Sequence, residues 1–309
     1  MIWYLLIIIV VATGFLTILG FVGRIWWVLD IFSHFRVQYA VIQAVSGLIF
    51  LVGDQNLAAG MAFSFMFINI AVISPLYLPS SQNESNNKVY RLLLVNVLQS
   101  NHSYGLIEAL IKKDSPDFIV LVEPNQNWLD QLEDALIDYP YRCSRTREDS
   151  YGIALFSRVE LDHCDIRIFG DAGVPSVVAK TTLSGGSFTF IGTHPPPPKG
   201  SVNSRLRNQQ LVEMAQFIRS LPGAAIMCGD LNISPWSVYF HSFLSESRLL
   251  DSGKGFGVQP TWPVEWPIMR VPIDHCFVSE SIQVINRKTG PKVGSDHFPL
   301  LVDFAICES

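Results

Sequence analysis

The run from Trp3 to Val22, WYLLIIIVVATGFLTILGFV, holds no charged residue, and about 20 apolar residues is the length an α-helix needs to cross a bilayer. Two more uncharged runs follow: Val37 to Gly53, between Arg36 and Asp54, and Leu57 to Leu78, after the turn Asp54-Gln55-Asn56. The expectation is a membrane module of about three transmembrane helices over residues 1–79, with spans near 3–22, 37–53 and 57–78, the last kinked or ended by Pro75. A cleaved export signal needs a basic stretch before its apolar core and a small-residue cleavage site. Here apolar residues follow Met1 directly and two further runs come after, so the first run reads as a retained span. Trp26 and Trp27 suit an interfacial aromatic belt.

Charge is confined to the rest of the chain. Up to Ser81 only Arg24, Asp30, Arg36 and Asp54 are ionised at neutral pH, so 20 of the 22 basic and 25 of the 27 acidic residues lie beyond it. That is why the charged fraction is only 16% and the mean hydropathy positive at +0.29, although the second part has the composition of an ordinary soluble domain. Its formal charge of −5 gives no basic excess of the kind that drives tight nucleic-acid binding. The string Ser80 to Asn87, SSQNESNN, reads as a polar linker, and the soluble domain is expected over residues 88–309.

The side of the membrane stays open. Arg24 and Arg36 follow the first span and no basic residue follows the second, which places the amino terminus outside and the soluble domain in the cytoplasm. Five cysteines, Cys143, Cys164, Cys228, Cys276 and Cys307, are odd in number and irregular in spacing. They suggest neither a zinc site nor a disulfide framework, read as buried small hydrophobes, and lean toward the same side.

In the soluble part, short apolar runs each end in a polar residue. Tyr90–Val97 carries Asn96; Asp117–Val122 leads to Glu123; Ser187–Thr193 leads to His194; Ala224–Cys228 leads to Gly229-Asp230-Leu231-Asn232. Tyr151–Ser157, Ile273–Val278 and Leu300–Phe304 are further strands by length and flanking breakers, and Tyr104–Lys112, Trp128–Leu136 and Asn203–Leu221 read as helices. Singly, each polar end is an ordinary solvated strand end or turn. Together they describe sheets whose ends converge on a site.

In order, Asn96, Glu123 in L-V-E, His194 in G-T-H-P, Asp230 and Asn232 in G-D-L-N, Asp274 in I-D-H, and Asp296-His297 in G-S-D-H-F-P resemble the successive motifs of the endonuclease/exonuclease/phosphatase superfamily, the deoxyribonuclease I-like hydrolases. The likeness covers about Tyr90 to Phe304. The stretch Pro260 to Pro263 and the prolines after His194 further resemble bacterial membrane-attached members, which implies an integral protein of a bacterial inner membrane. The resemblance implies a four-layer α/β sandwich, two packed β-sheets flanked by helices; alternating buried strands and helices alone would equally fit a doubly wound sheet.

It also implies metal-assisted attack of water on a phosphate ester. Carboxylate and amide oxygens suit Mg²⁺, with Mn²⁺ as substitute, better than Zn²⁺. Glu123 is then the metal ligand, with Asn96 and Asp296 supporting the ion or its waters. Asp230 orients or deprotonates the water and Asn232 donates to the phosphate, both side chains expected on one side of an extended segment. His297 serves as base or cationic contact with Asp274 as its partner, and His194 contacts phosphate or protonates the leaving oxygen. An acidic partner for His194 is not identified among Arg147, Glu148 and Asp149. Leu98 stands where repair-type members carry an aspartate. His275 is expected to face away from the site.

The leading expectation is thus a membrane-anchored, metal-dependent phosphodiesterase or endonuclease. The alternatives are a lipid phosphodiesterase or phosphatase of sphingomyelinase or phosphoinositide type, or an inactive membrane scaffold. The expected partners are a phosphate-ester substrate, either nucleic acid or lipid headgroup, and the bilayer; no protein partner is inferred. Trp262 and Trp266, near Phe256, read as packing residues or as an aromatic edge for stacking or lipid contact.

Overall fold

The computed structural model describes residues 1–78, 87–184 and 186–307, so all of the expected linker except Asn87 lies outside the described residues. The chain divides into two compact units, one of residues 1–78 with 233–242, the other of residues 79–232 with 243–309.

The first unit contains α1 (Ile2–Leu19), α2 (Trp27–Ser33), α3 (Arg36–Val52) and α4 (Asn56–Ile73). Two stretches, Ile2–Val22 and Asn56–Tyr77, are long and apolar enough to cross a membrane. The expected middle run coincides with α3, which is joined to α2 through a 59° bend; only the two together have the length and apolar character of a span. Close approach and interhelical hydrogen bonds tie these apolar helices together. Gly14 makes room for the ring of Phe65 and Gly47 for that of Phe63. A buried polar cluster ties three helices: Arg36 Nη1 donates to the Thr17 carbonyl at 2.9 Å and to Asn69 Oδ1 at 3.2 Å. Asn69 Nδ2 donates to Thr17 Oγ1 at 2.9 Å and to Gln43 Oε1 at 3.0 Å. Residues 233–242 belong here too: Ser237 Oγ donates to Asp30 Oδ1 at 2.6 Å, and Arg24 to Ser242 Oγ at 2.7 Å.

The second unit runs β1 (Val89–Asn96), α5 (Tyr104–Asp114), β2 (Phe118–Val122), α6 (Gln126–Gln131), β3 (Tyr141–Arg145), β4 (Ile153–Ser157), β5 (His163–Ile168), β6 (Pro175–Leu183), β7 (Gly186–Thr193), α7 (Ser201–Arg219) and β8 (Ala224–Asp230). After α8 (Val238–Ser247), which begins within residues 233–242, come β9 (Leu250–Asp251), β10 (Asp274–Val278), β11 (Ile282–Thr289) and β12 (Leu300–Ile306). Two six-stranded sheets result, in the orders β11-β12-β1-β2-β4-β3 and β5-β6-β7-β8-β10-β9. Each has one parallel pair, β1/β2 and β7/β8, bridged by α5 and α7 respectively. This is the expected α/β sandwich of two packed sheets with flanking helices.

Both faces of the inner strands are buried, which is why they read as unbroken apolar runs. In β1, Leu92 and Leu94 enter the core between the sheets with Phe118, Phe190 and Phe304, while Leu93 and Val95 pack outward on Ile107, Leu110 and Trp128. The helix expected over Trp128–Leu136 is shorter: α6 starts at its cap Asn125, whose Oδ1 accepts from Trp128 N, and ends at Gln131. The cysteine reading is corrected in part. Cys143 of β3 and Cys164 of β5 form a disulfide joining the outermost strands of the two sheets. Cys228 and Cys276, opposed across β8 and β10, are buried free thiols.

Candidate active site

Three adjacent strands of each sheet send residues to one rim. Because β1 and β2 run parallel, their carboxy ends lie together, bringing Asn96 beside Glu123; β7 and β8 do the same for His194 and Asp230. The antiparallel neighbours arrive amino end first, β10 with Asp274 and β12 with Asp296 and His297 just before it. Two glycines permit this approach. A Cβ on Gly229 would collide with the Thr193 carbonyl oxygen, and one on Gly294, at φ +81°, would run into Ser103 and Asn101. Ser295 then fastens the last motif, its Oγ donating to the Asn96 carbonyl at 2.7 Å and accepting from His297 N at 3.1 Å.

Asn96 links two carboxylates. Its Nδ2 donates to Glu123 Oε1 and to Asp230 Oδ2, both at 3.1 Å, while its Oδ1 accepts from Leu98 N at 3.0 Å. Glu123 sits at φ +66°, a left-handed conformation that costs a non-glycine residue on the order of 1 kcal/mol and is found where the surroundings hold it; its amide is fixed by the Gly152 carbonyl at 2.9 Å. Burial pushes the Glu123 carboxyl above its usual range, with the Asn96 hydrogen bond acting against the shift. Asp230 is pushed up to about 6 by burial, against the pull of His297.

His297 Nδ1 lies 2.8 Å from Asp274 Oδ2, and its Nε2 lies 3.5 Å from Asp230 Oδ2. Burial would neutralise the ring, but Asp274 and Asp230 outweigh it and raise the imidazole to about 10. Asp274 is held below its usual range because the charge and hydrogen bond of His297 overcome burial. His297 is therefore an imidazolium near neutral pH. His194 is the opposite case: burial lowers it despite Asp230, with Nε2 3.6 Å from Asp230 and 4.0 Å from Glu123.

The arrangement corrects the reading of Asn232. The segment is not extended there: Asn232 has φ +55°, its amide donates to Asp230 Oδ1 at 3.0 Å in a tight turn, and its side chain donates to the Pro195 carbonyl at 3.2 Å. Asp296 is the most accessible acid, 43% exposed at the side chain, and lies 4.0 Å from His297. Arg147 pairs with Asp149, and Glu148 accepts from Gln99 and Asn125. The carboxylates beside His194 are instead Asp230 and Glu123. His275 is buried on β10 and stacks on Phe277.

Three contributors were not assigned from the sequence. Trp262 Nε1 donates to Asp296 Oδ2 at 3.0 Å; Thr261 Oγ1 accepts from the amides of Ile273 and Asp274 at 3.2 Å; the Tyr151 ring lies 5.5 Å from that of His194. The P-T-W-P stretch was the available signal for the first two.

Among the described residues one tight cluster has the donor types of a divalent-cation site. Asp230, Asp274 and His297 have ligand atoms within 4.8 Å of one another, but His297 spends Nδ1 on Asp274 and its positive charge opposes a cation. Glu123, Asp230 and Asp296 bring carboxylate oxygens, the donor type a hard cation prefers, to the same rim. Burial raises the carboxyls of Glu123 and Asp230, and a cation bound beside them would favour their ionised forms.

Comparison with known proteins agrees with this geometry. No curated protein is significantly similar in sequence. Among solved structures, D. rerio TDP2 complexed with single-strand DNA product matches with a TM-score of 0.59 at 16% identity, over 71% of this chain and 99% of that one. The human Nocturnin catalytic domain with bound sulfate matches with a TM-score of 0.58 at 19% identity, over 71% and 94%. A Beutenbergia cavernae endonuclease/exonuclease/phosphatase matches with a TM-score of 0.58 at 17% identity, over 71% and 72%. These likenesses concern the fold. The model of the Endonuclease/Exonuclease/phosphatase family matches residues 92–297, from β1 to the histidine of the last motif. The chain belongs to that family, whose enzymes are divalent-metal-dependent hydrolases of phosphodiester bonds.

Proposed function

We propose that the chain is a membrane-anchored, Mg²⁺-dependent phosphodiesterase, with residues 1–79 as its transmembrane module and 88–309 as its catalytic domain. The observation that supports this most is the packing of Glu123 and Asp230 around Asn96 at a buried rim short of positive charge. When bound there, Mg²⁺, or Mn²⁺ in its place, supplies Lewis-acid stabilisation of the phosphoryl oxygens. Glu123 and Asp296 hold the ion, and Asn96 fixes the carboxylate of Glu123. Asp230, titrating near neutrality, orients the attacking water and takes its proton. His297, kept charged by Asp274, binds a phosphoryl oxygen as a cation rather than acting as a base. Neutral His194 contacts the ester beside the leaving oxygen. Asn232 reaches phosphate only by giving up its bond to the Pro195 carbonyl.

For orientation, we place the catalytic domain on the oxidising side of the membrane. The Cys143–Cys164 disulfide favours that side, and Arg36, buried among the helices, is no longer a loop charge that counts for the cytoplasmic one. Alkylation of free thiols on sealed vesicles, with and without reductant, tests this.

The deciding experiment assays the full chain in detergent on a chromogenic phosphodiester and on nucleic-acid and lipid esters. Turnover is expected with Mg²⁺, none with EDTA, and recovery when Mg²⁺ is restored. Glu123→Ala should abolish it. A Glu123→Ala protein as active as the parent would defeat the reading, and inertness toward every ester would favour the scaffold.

A further inference from the structure

Next to the candidate site, residues 262–270, WPVEWPIMR, form a loop with a firm base and an apolar tip. The base is tied down on several sides. Val271 N donates to the Trp262 carbonyl at 2.6 Å, Val264 N to the Asp296 carbonyl at 2.9 Å, and Phe298 N to the Thr261 carbonyl at 2.8 Å. Arg270 closes it from within, donating to the Val264 carbonyl at 2.5 Å. The tip is the reverse: Trp266 is 70% exposed, Ile268 82% and Met269 47%. Of the two readings of Trp266, packing into the domain is not met. Contiguous large apolar side chains on a rigid loop are costly in water and mark a surface that something covers.

The occupant is argued from charge, aromatic type and tether. A polyanion is a poor partner for a chain of formal charge −5, in which Glu265 at the tip pairs with Lys292. Trp beside aliphatic residues is the composition favoured where acyl chains meet headgroups. On the membrane-anchored reading the tether to the bilayer is short. Only eight residues separate Leu78 from Asn87 in the sequence, at most about 30 Å of extended chain.

We propose that the 262–270 loop docks into the surface of the bilayer and presents membrane phospholipid to the site, so that the ester hydrolysed is the phosphodiester of a lipid headgroup. This rests on the phosphodiesterase reading above. The hydrogen bond from Trp262 to Asp296 joins the docking loop to the acid best exposed to the headgroup. The loop thereby selects a phosphodiester attached to acyl chains over a soluble one.

The test uses the full chain reconstituted in vesicles of phosphatidylethanolamine, phosphatidylglycerol and sphingomyelin, with soluble bis(p-nitrophenyl) phosphate and plasmid DNA assayed in parallel. Headgroup release with Mg²⁺ is expected. In the Trp266→Ser/Ile268→Ser variant the ratio of lipid to soluble-diester turnover should fall at least tenfold. A second readout is independent of turnover: brominated acyl chains should quench the parent's tryptophan emission more than that of Trp266→Phe. Cleavage of the soluble diester or of DNA with every lipid intact overturns the docking inference alone. An unchanged turnover ratio, or equal quenching in both proteins, also overturns it. Failure to cleave any ester overturns the parent reading and this one with it.

Discussion

A buried polar cluster among the apolar helices and another at the rim of the sandwich are balanced differently. Around Arg36, one cation faces a carbonyl and the neutral groups of Thr17, Gln43 and Asn69, with the guanidinium 4.1 Å above the Phe21 ring. Around Asn96, one imidazolium faces four carboxylates, two of which resist ionisation. The first set is neutral around a single charge, as suits polar groups that hold helices together where no water competes. The second has polar groups that do not neutralise one another, an arrangement that marks sites of binding or chemistry. Burial alone does not distinguish them; the sign and surplus of charge do.

The sharpest way to break this contrast is Asp230→Asn. It should lower kcat on a chromogenic diester by about 10²–10⁴-fold, while thermal unfolding shifts little or upward because a strained charge is gone. A loss below tenfold would mean that the rim cluster is structural after all. Asn69→Leu should do the reverse. Unfolding of the full chain in micelles should become easier by about 1–2 kcal/mol, with turnover per folded molecule unaltered; reduced turnover would show the helix cluster coupled to chemistry. The mildest effect is on pH. In EDTA, Asp230 and His297, each raised, favour the folded state when protonated, so their contributions are present at low pH and lost as pH rises. Asp230 should give a decline between about 3.8 and 6, and His297 a second between about 6.5 and 10. Asp274→Asn should remove most of the second, and a melting temperature flat from pH 7 to 10 would contradict the Asp274–His297 pairing.

Most of the inner architecture was legible in the sequence because β1, β2, β4, β7, β8, β10 and β12 are buried on both faces and read as apolar runs. The four strands at the sheet margins, β3, β5, β9 and β11, escaped notice for the same reason inverted. Segments such as HCDIRI in β5 and the charged end of β11 carry polar residues where no neighbour covers them, as edge strands do. Interior β6, with Lys180 among its threonines, was also missed. At the site, residues at the ends of apolar runs were readable in order. What was not readable depends on pairing at a distance: the indole of Trp262 on Asp296, the contact of Cys143 with Cys164 and the turn that draws Asn232 to Pro195 all join segments whose adjacency only the folded sheets create.

The two parallel strand pairs have a practical consequence for anyone wishing to alter the protein. Since β1, β2, β7 and β8 all finish at the candidate rim, the reversals at their other ends hold none of the candidate site residues. The β6–β7 hairpin is one: it turns near Ser184 and Gly186, where the chain is exposed and far along β7 from His194. A fluorescent domain or affinity peptide spliced into that reversal leaves every candidate ligand on its own strand end, which makes it the natural place to fit a handle for watching the working enzyme.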